Sequence, residues 1–295
     1  MSNKNTRRLA IKNLIVGTAA LGAAPSLAFS RNLSTNRNTT MLNGRINHSV
    51  CYWCYNSIPF EQFCQAVKKL NFSAIDLIGP KDWPTLKKYG IDSSMCNGAE
   101  ISLTSGWNHK EYHEKLIQNY TEMIPLVAKA GYKNLICFSG NRNGMDDETG
   151  LKNSVEGLKK IMSIAEKNGV IIQMELLNSK INHKDYMCDK SKWGIELCKQ
   201  LGSENFKLLY DIYHMQIDEG DVIRTIQESN KYFGHYHTGG VPGRHEIDET
   251  QELYYPAIMK AIVATGYKGY VAQEFIPANA DKIASLEKAI KICDV

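Results

Sequence analysis

Four residues in the second half of the chain are of types that hold a divalent cation and move protons: Glu175, Asp211, His237 and Glu274. They lie at the ends of successive strand-like runs: Gln173-Met174-Glu175-Leu176-Leu177, Tyr210-Asp211-Ile212-Tyr213-His214, His235-Tyr236-His237 and Ala272-Gln273-Glu274-Phe275, and each acid interrupts an otherwise apolar run. Burying an unpaired carboxylate is costly, and a divalent cation compensates that charge. Three carboxylates and one imidazole suit one such ion, Mn2+ first, with Mg2+, Co2+, Fe2+ and Zn2+ as the other candidates. No thiolate is called on. Taken singly, each residue has an ordinary reading. Glu175 pairs with a lysine, Asp211 caps the next turn, His237 is a satisfied core histidine, and Glu274 accepts a bond from a neighbouring loop. Four at corresponding positions of successive runs argue for a joint site.

Two further residues stand beside this set. His214 follows Asp211 by three positions, so it either meets a substrate oxygen or orients Asp211. Arg244 follows Val241-Pro242-Gly243. Pro-Gly makes a rigid turn, and a guanidinium with five donors suits carboxylate or sugar oxygens; the other reading is a solvated loop arginine. Trp53, Trp107, His109 and Tyr213 are candidates for the pocket wall, or equally for the core.

The elements that must position these groups alternate. Strands are predicted at 48–54, 74–79, 91–96, 134–139, 170–177, 207–213, 233–238 and 268–275. Several are continuous apolar runs, as parallel strands covered on both faces require. Amphipathic stretches lie between them. One opens at Pro59 and runs to Leu70, and others end at Gly131, Gly169 and Gly266, which read as residues just past a helix. Helices are predicted at 111–130, 151–168 and 251–265. Eight β/α units over this length predict a single α/β domain, a (β/α)8 TIM barrel at residues 45–295, with chemistry at the C-terminal strand ends. No Gly-x-Gly-x-x-Gly follows a strand, so an open dinucleotide-binding sheet has no support.

The N-terminal segment is set apart. Residues 1–28 read as a twin-arginine signal peptide: Arg7-Arg8, an apolar run from Leu14 to Ala24, then Ser26-Leu27-Ala28. The alternative is an uncleaved anchor. Residues 29–44, rich in Ser, Thr and Asn, read as a flexible linker. Export by the twin-arginine machinery predicts a periplasmic protein that crosses the membrane folded. That route allows Cys51, Cys54 and the six other cysteines to remain buried thiols. The chain carries a formal charge of +4. Lys4, Arg7, Arg8 and Lys12 in the leader account for it, so the remainder is neutral. A neutral body argues against nucleic acid as partner.

At these residues the sequence resembles the hydroxypyruvate isomerase family of the xylose-isomerase-like barrels, which also include ketose 3-epimerases. The resemblance rests on MELLN ending at Asn178, DIYHMQ at 211–216, GHYHTGGVPGRHE at 234–246 and VAQEF at 271–275, and it covers roughly residues 45–290. It implies a divalent metal held by Glu175, Asp211, His237 and Glu274. It implies that Glu175 and Glu274 face each other across the substrate as proton-transfer groups, and that His214 and Arg244 bind substrate oxygens. Three features depart from the family pattern, one being the segment 178–184, richer in polar and basic groups than the simplest members carry. Hydroxypyruvate isomerases often carry Gln where this chain has His237, whereas the epimerases have His. Hydroxypyruvate metabolism is cytoplasmic, whereas this chain carries an export leader.

The implied chemistry is aldose–ketose isomerisation through an enediolate, on a small hydroxy-carbonyl or sugar substrate. The same groups would serve an exported epimerase or keto-glycoside lyase. A nuclease of the endonuclease IV type needs a histidine-rich three-metal cluster and a basic face, and the sequence offers neither. A non-enzymatic sugar-binding module would show two lobes and a hinge, and no second lobe is visible. The oligomeric state is open, a homo-oligomer included.

Overall fold

The computed structural model describes residues 41–295. The predicted signal peptide at 1–28 lies outside the described residues, as do all but the last four residues of the predicted linker. Of those four, Asn43 is tied down: its backbone N–H donates to Asp294 Oδ2 at 2.8 Å.

Eight strands run in order: β1 (Asn47–Val50), β2 (Ala74–Ile75), β3 (Asp92–Ser93), β4 (Asn134–Cys137), β5 (Ile171–Glu175), β6 (Phe206–Asp211), β7 (Phe233–Thr238) and β8 (Tyr270–Gln273). The helices are α1 (Phe60–Lys69), α2 (Trp83–Tyr89), α3 (His113–Ala130), α4 (Asp147–Asn168), α5 (Ser191–Leu201), α6 (Ile212–Asp218), α7 (Val222–Ser229), α8 (Tyr255–Ala264) and α9 (Lys282–Cys293). The strands β1, β8, β7, β6, β5 and β4 form one parallel sheet in that order, and β2 pairs with β3. Single parallel bridges, Cys51 to Asp76 and Cys96 to Leu135, link β1 to β2 and β3 to β4. The strands therefore follow one another in chain order around a ring, in a TIM-barrel-like α/β arrangement. Regular pairing is continuous through only six of them. β2 is shorter than its apolar run predicts because Leu77 takes a left-handed backbone, φ 57°, which breaks the extended chain.

Capping explains where the helices differ from their predicted ends. α4 begins four residues before position 151, because Asp146 accepts from Thr149 N–H at 2.8 Å and closes the first turn. Gly169, left-handed at φ 64°, ends it. α3 and α4 bury Leu116, Tyr120 and Ile124, and Leu158, Ile161 and Ala165, in the main core. Trp107 belongs to that core too. It is fully buried and lies 5.4 Å from the Tyr120 ring, so it does not line the pocket. All eight cysteines are buried and free.

No helix among the described residues is long and apolar enough to cross a membrane.

Candidate metal centre

The regular sheet delivers the four predicted ligands to one place. β5 ends on Glu175 and β6 on Asp211, His237 lies in β7, and Glu274 follows β8 directly. Asp211 and His237 are partners in register across β6 and β7. One ligand atom from each of the four lies within 4.8 Å of the others. All four side chains are buried. His237 Nδ1 is 2.7 Å from Glu274 Oε2 and 3.3 Å from Glu175 Oε1. Neither His237 Nδ1 nor Glu175 Oε1 has an aligned hydrogen bond, although both are buried. Converging lone pairs left without aligned donors fit a cation better than a hydrogen-bond network.

The electrostatics follow from crowding. Burial raises Glu175, and the charge of Glu274 adds to that. Burial pushes Asp211 up to about 7 against the opposing pull of Arg244. Burial acts the same way on Glu274, but Arg244 and His237 outweigh it and hold this carboxylate well below its usual range. Three carboxylates in so small a volume call for added positive charge.

Asp211 does two things. Oδ1 accepts from His214 N–H at 3.2 Å and caps α6, while Oδ2 faces the cluster. The capping role and the ligand role, alternatives when the residue is read alone, are compatible because the two oxygens divide them. His214 is placed by the same turn. Its Nδ1 is 2.6 Å from Asn178 Nδ2, which is a donor, so the proton sits on Nε2. That Nε2 is buried, 3.6 Å from Asp211 Oδ2 and without a hydrogen bond, free to donate into the site. Burial and then the Arg244 charge hold His214 well below the ordinary histidine range, so the ring is neutral.

Arg244 is no solvated loop residue; its side chain is 12% exposed. The guanidinium lies between the rings of Trp53 and Tyr213, 5.3 and 5.4 Å from their centroids. Its Nη2 donates to Asp211 Oδ2 at 3.2 Å and to Glu274 Oε2, while Nε is buried without a partner. The loop that carries it is fastened at both sides. Ile276 N–H donates to the Arg244 carbonyl at 2.6 Å, and Glu246 accepts from Ala278 N–H at 3.0 Å and from Ser285 Oγ at 2.9 Å.

Of the aromatic candidates, Trp53 and Tyr213 reach the site; Trp53 Nε1 also donates to Glu274 Oε1 at 2.8 Å. His109 does not; its Nε2 meets the Asn141 carbonyl at 3.0 Å.

Three contributors were absent from the sequence candidates. Asn178 sets the His214 ring. Asp76, directly after β2 and fully buried, lies 3.2 Å from His237 Nε2. His235 Nε2 lies 2.7 Å from the other Asp76 oxygen. The signal for Asp76 was present, an acid in the apolar run Ala74-Ile75-Asp76-Leu77-Ile78. It belongs to a different strand from the four that carry the ligands.

Comparison with known proteins adds the lineage. The model of a family described as xylose isomerase-like TIM barrel matches residues 64–292. A 2-oxo-tetronate isomerase of Cupriavidus necator is 33% identical over 123 residues, 42% of this chain and 46% of that protein. A D-psicose 3-epimerase of Ruminiclostridium cellulolyticum is 31% identical over 134 residues, 44% and 43% of the two chains. The chain spans about half the length of these curated relatives. Among solved structures, an AP endonuclease, family 2, from Brucella melitensis superposes with a TM-score of 0.73 at 22% identity, covering 83% of this chain and 97% of that one. At that identity the likeness is one of fold.

Proposed function

The chain belongs to the xylose isomerase-like TIM barrel family, and we propose that it is a metal-dependent isomerase of hydroxypyruvate-isomerase type, interconverting aldose and ketose forms of a small hydroxy-carbonyl or sugar substrate. The observation that carries this reading is the convergence of Glu175, Asp211, His237 and Glu274 within 4.8 Å. Those four residues would hold one divalent ion, Mn2+ first among the candidates, and the ion would supply a Lewis acid and a template. The relatives named isomerase and epimerase support the reaction class.

The chain's own residues supply the rest. One glutamate removes the proton from the carbon next to the carbonyl, the pair returns a proton to the neighbouring carbon, and the hydroxyl proton passes to the former carbonyl oxygen, so no net proton is gained or lost. The two carboxylates approach His237 Nδ1 from separate strands, which supports a role for both in a short proton path. His214 Nε2 and the unpartnered Arg244 Nε are donors for the negative charge that develops on substrate oxygen. The Trp53 and Tyr213 rings hold the guanidinium in place before substrate arrives.

Proton return to the opposite face of the same carbon would instead give an epimerase, and elimination next to a keto group would give a keto-glycoside lyase. His237, where hydroxypyruvate isomerases often carry Gln, favours this second reading. The test is a screen of hydroxypyruvate, ketoses and 3-keto-glycosides with the Mn2+-loaded mature protein in D2O. Exchange of a substrate C–H proton is the expected result. Tight binding without exchange would make the protein a sugar-binding module.

Arg244→Ala should lower kcat/KM by ~10–150-fold, most for anionic substrates, since a hydrogen bond to a charged group contributes about 1.5–3 kcal/mol. Steady-state kinetics on a neutral and an anionic substrate check this.

The proposed location is the periplasm, after twin-arginine export. Support comes from Arg7-Arg8, the apolar run and Ser26-Leu27-Ala28. Mass spectrometry of the native protein should find an N-terminus near Phe29; intact Met1 or Ser2 in membranes would show an anchor instead.

A further inference from the structure

His237 is the one nitrogen ligand in the candidate set, and its two ring nitrogens face different partners. Nδ1 points at Glu274 and Glu175, toward the cluster. Nε2 points away, to Asp76 Oδ1 at 3.2 Å. A neutral imidazole carries its proton on one nitrogen and a lone pair on the other, and the partner that accepts the proton decides which. We propose that Asp76 is the positioning residue of this site: it accepts the Nε2 proton of His237 and so presents the Nδ1 lone pair to a divalent cation. The proposal rests on the metal reading given above.

Asp76 is itself held from several sides. It is fully buried. Its Oδ2 accepts from Ser94 Oγ at 2.6 Å and lies 2.7 Å from His235 Nε2. Ser94 Oγ is in turn 2.5 Å from Ser49 Oγ. A carboxylate fixed by β3 and β7 neighbours cannot rotate away from the His237 ring without breaking these contacts. It touches His237 on the side opposite the other carboxylates, so it acts on the cation only through the ring. Carboxylate–histidine–metal arrangements of this kind fix ring orientation and raise ligand basicity.

Cys51, Asp76 and His237 also lie close enough together to hold an ion of their own. One observation counts against that. The oxygens of Asp76 are already engaged by Ser94, His235 and His237.

The experiment has two arms. In the first, the unaltered protein, labelled with 15N-histidine and loaded with Zn2+, is read by NMR for its imidazole tautomers. His237 should carry its proton on Nε2 and the metal on Nδ1. The reverse assignment, or two ions per chain by metal analysis, overturns the proposal. In the second, Co2+ affinity and the visible Co2+ spectrum are compared between the parent and Asp76→Asn. Affinity should fall by ~10–100-fold with a shifted spectrum, the usual cost of losing such a partner. A substitution that only loosened the fold would lower the melting temperature and leave the spectrum of the bound ion unchanged. Equal affinity and spectrum in the two proteins overturn the role of Asp76 while leaving the metal reading intact. A parent that takes up no divalent ion overturns both.

Discussion

Replacing Glu175 or Glu274 with Gln should lower kcat by at least ~10²–10⁴-fold, the usual contribution of a positioned acid or base. Gln keeps the shape and one oxygen ligand but cannot accept a proton, so metal should remain at least partly bound. The two losses should not multiply in the double variant, because both groups serve one proton path. The measurement is kcat for each single variant and the double, with metal content determined on the same samples. Near-normal turnover with metal bound would show that the glutamates do not move the proton. The enediolate mechanism would then be wrong, and the site would be better read as a metal-dependent sugar pocket.

Stripping the ion should be as severe. A chelator should abolish activity and lower the melting temperature by roughly 5–8 °C, since a ligand present at 100–1,000 times its Kd adds about 2.7–4.1 kcal/mol to the folded state and a chain this size shifts by about 2 °C per kcal/mol. Asp211→Ala should reproduce the loss of metal. It should also destabilise the metal-free protein by about 1 kcal/mol, because the α6 cap goes with the side chain. Asp211→Asn separates the two effects, keeping an oxygen for the His214 N–H while removing the ligand charge. Thermal melts with and without Mn2+ on the three proteins give the comparison. An Asp211→Ala protein with full metal content would remove Asp211 from the ligand set.

The candidate ligands stood out in the sequence because burying a charged group is expensive and therefore conspicuous. Glu175, Asp211 and Glu274 each interrupt an apolar strand end, and the fold brings them together with His237. The count of eight strands was legible for a similar reason, since parallel strands covered on both faces read as apolar runs. Strand lengths were not. Nothing in the run from Ala74 announces that Leu77 turns left-handed and ends β2. The start of α4 depended on one cap at Asp146, outside the apolar period used to find the helix. Pairings between residues far apart in the chain left no local trace, even where one partner stood out. Trp53 meets Glu274 across 221 positions, and Asp76 meets His237 across 161. Trp107 and Trp53 were equal candidates for the pocket, and only tertiary packing separates them.

The ring is held unevenly around its circumference. Along β4 to β8 and on to β1, every neighbour is joined by a ladder of at least three paired residues. At β2 and β3 the ladder is two pairs long, with lone bridges on either side. Short ladders open at lower free energy than long ones, so this arc breathes first. The four candidate ligands stand on the stiff arc, and Asp76 joins the soft arc to His237. Under the proposed metal reading, sequence drift in the soft arc would reach the site through one carboxylate. A lineage of this barrel could then remodel the wall beneath β2 and β3 and retune the site by a single side chain, without moving the four candidate ligands.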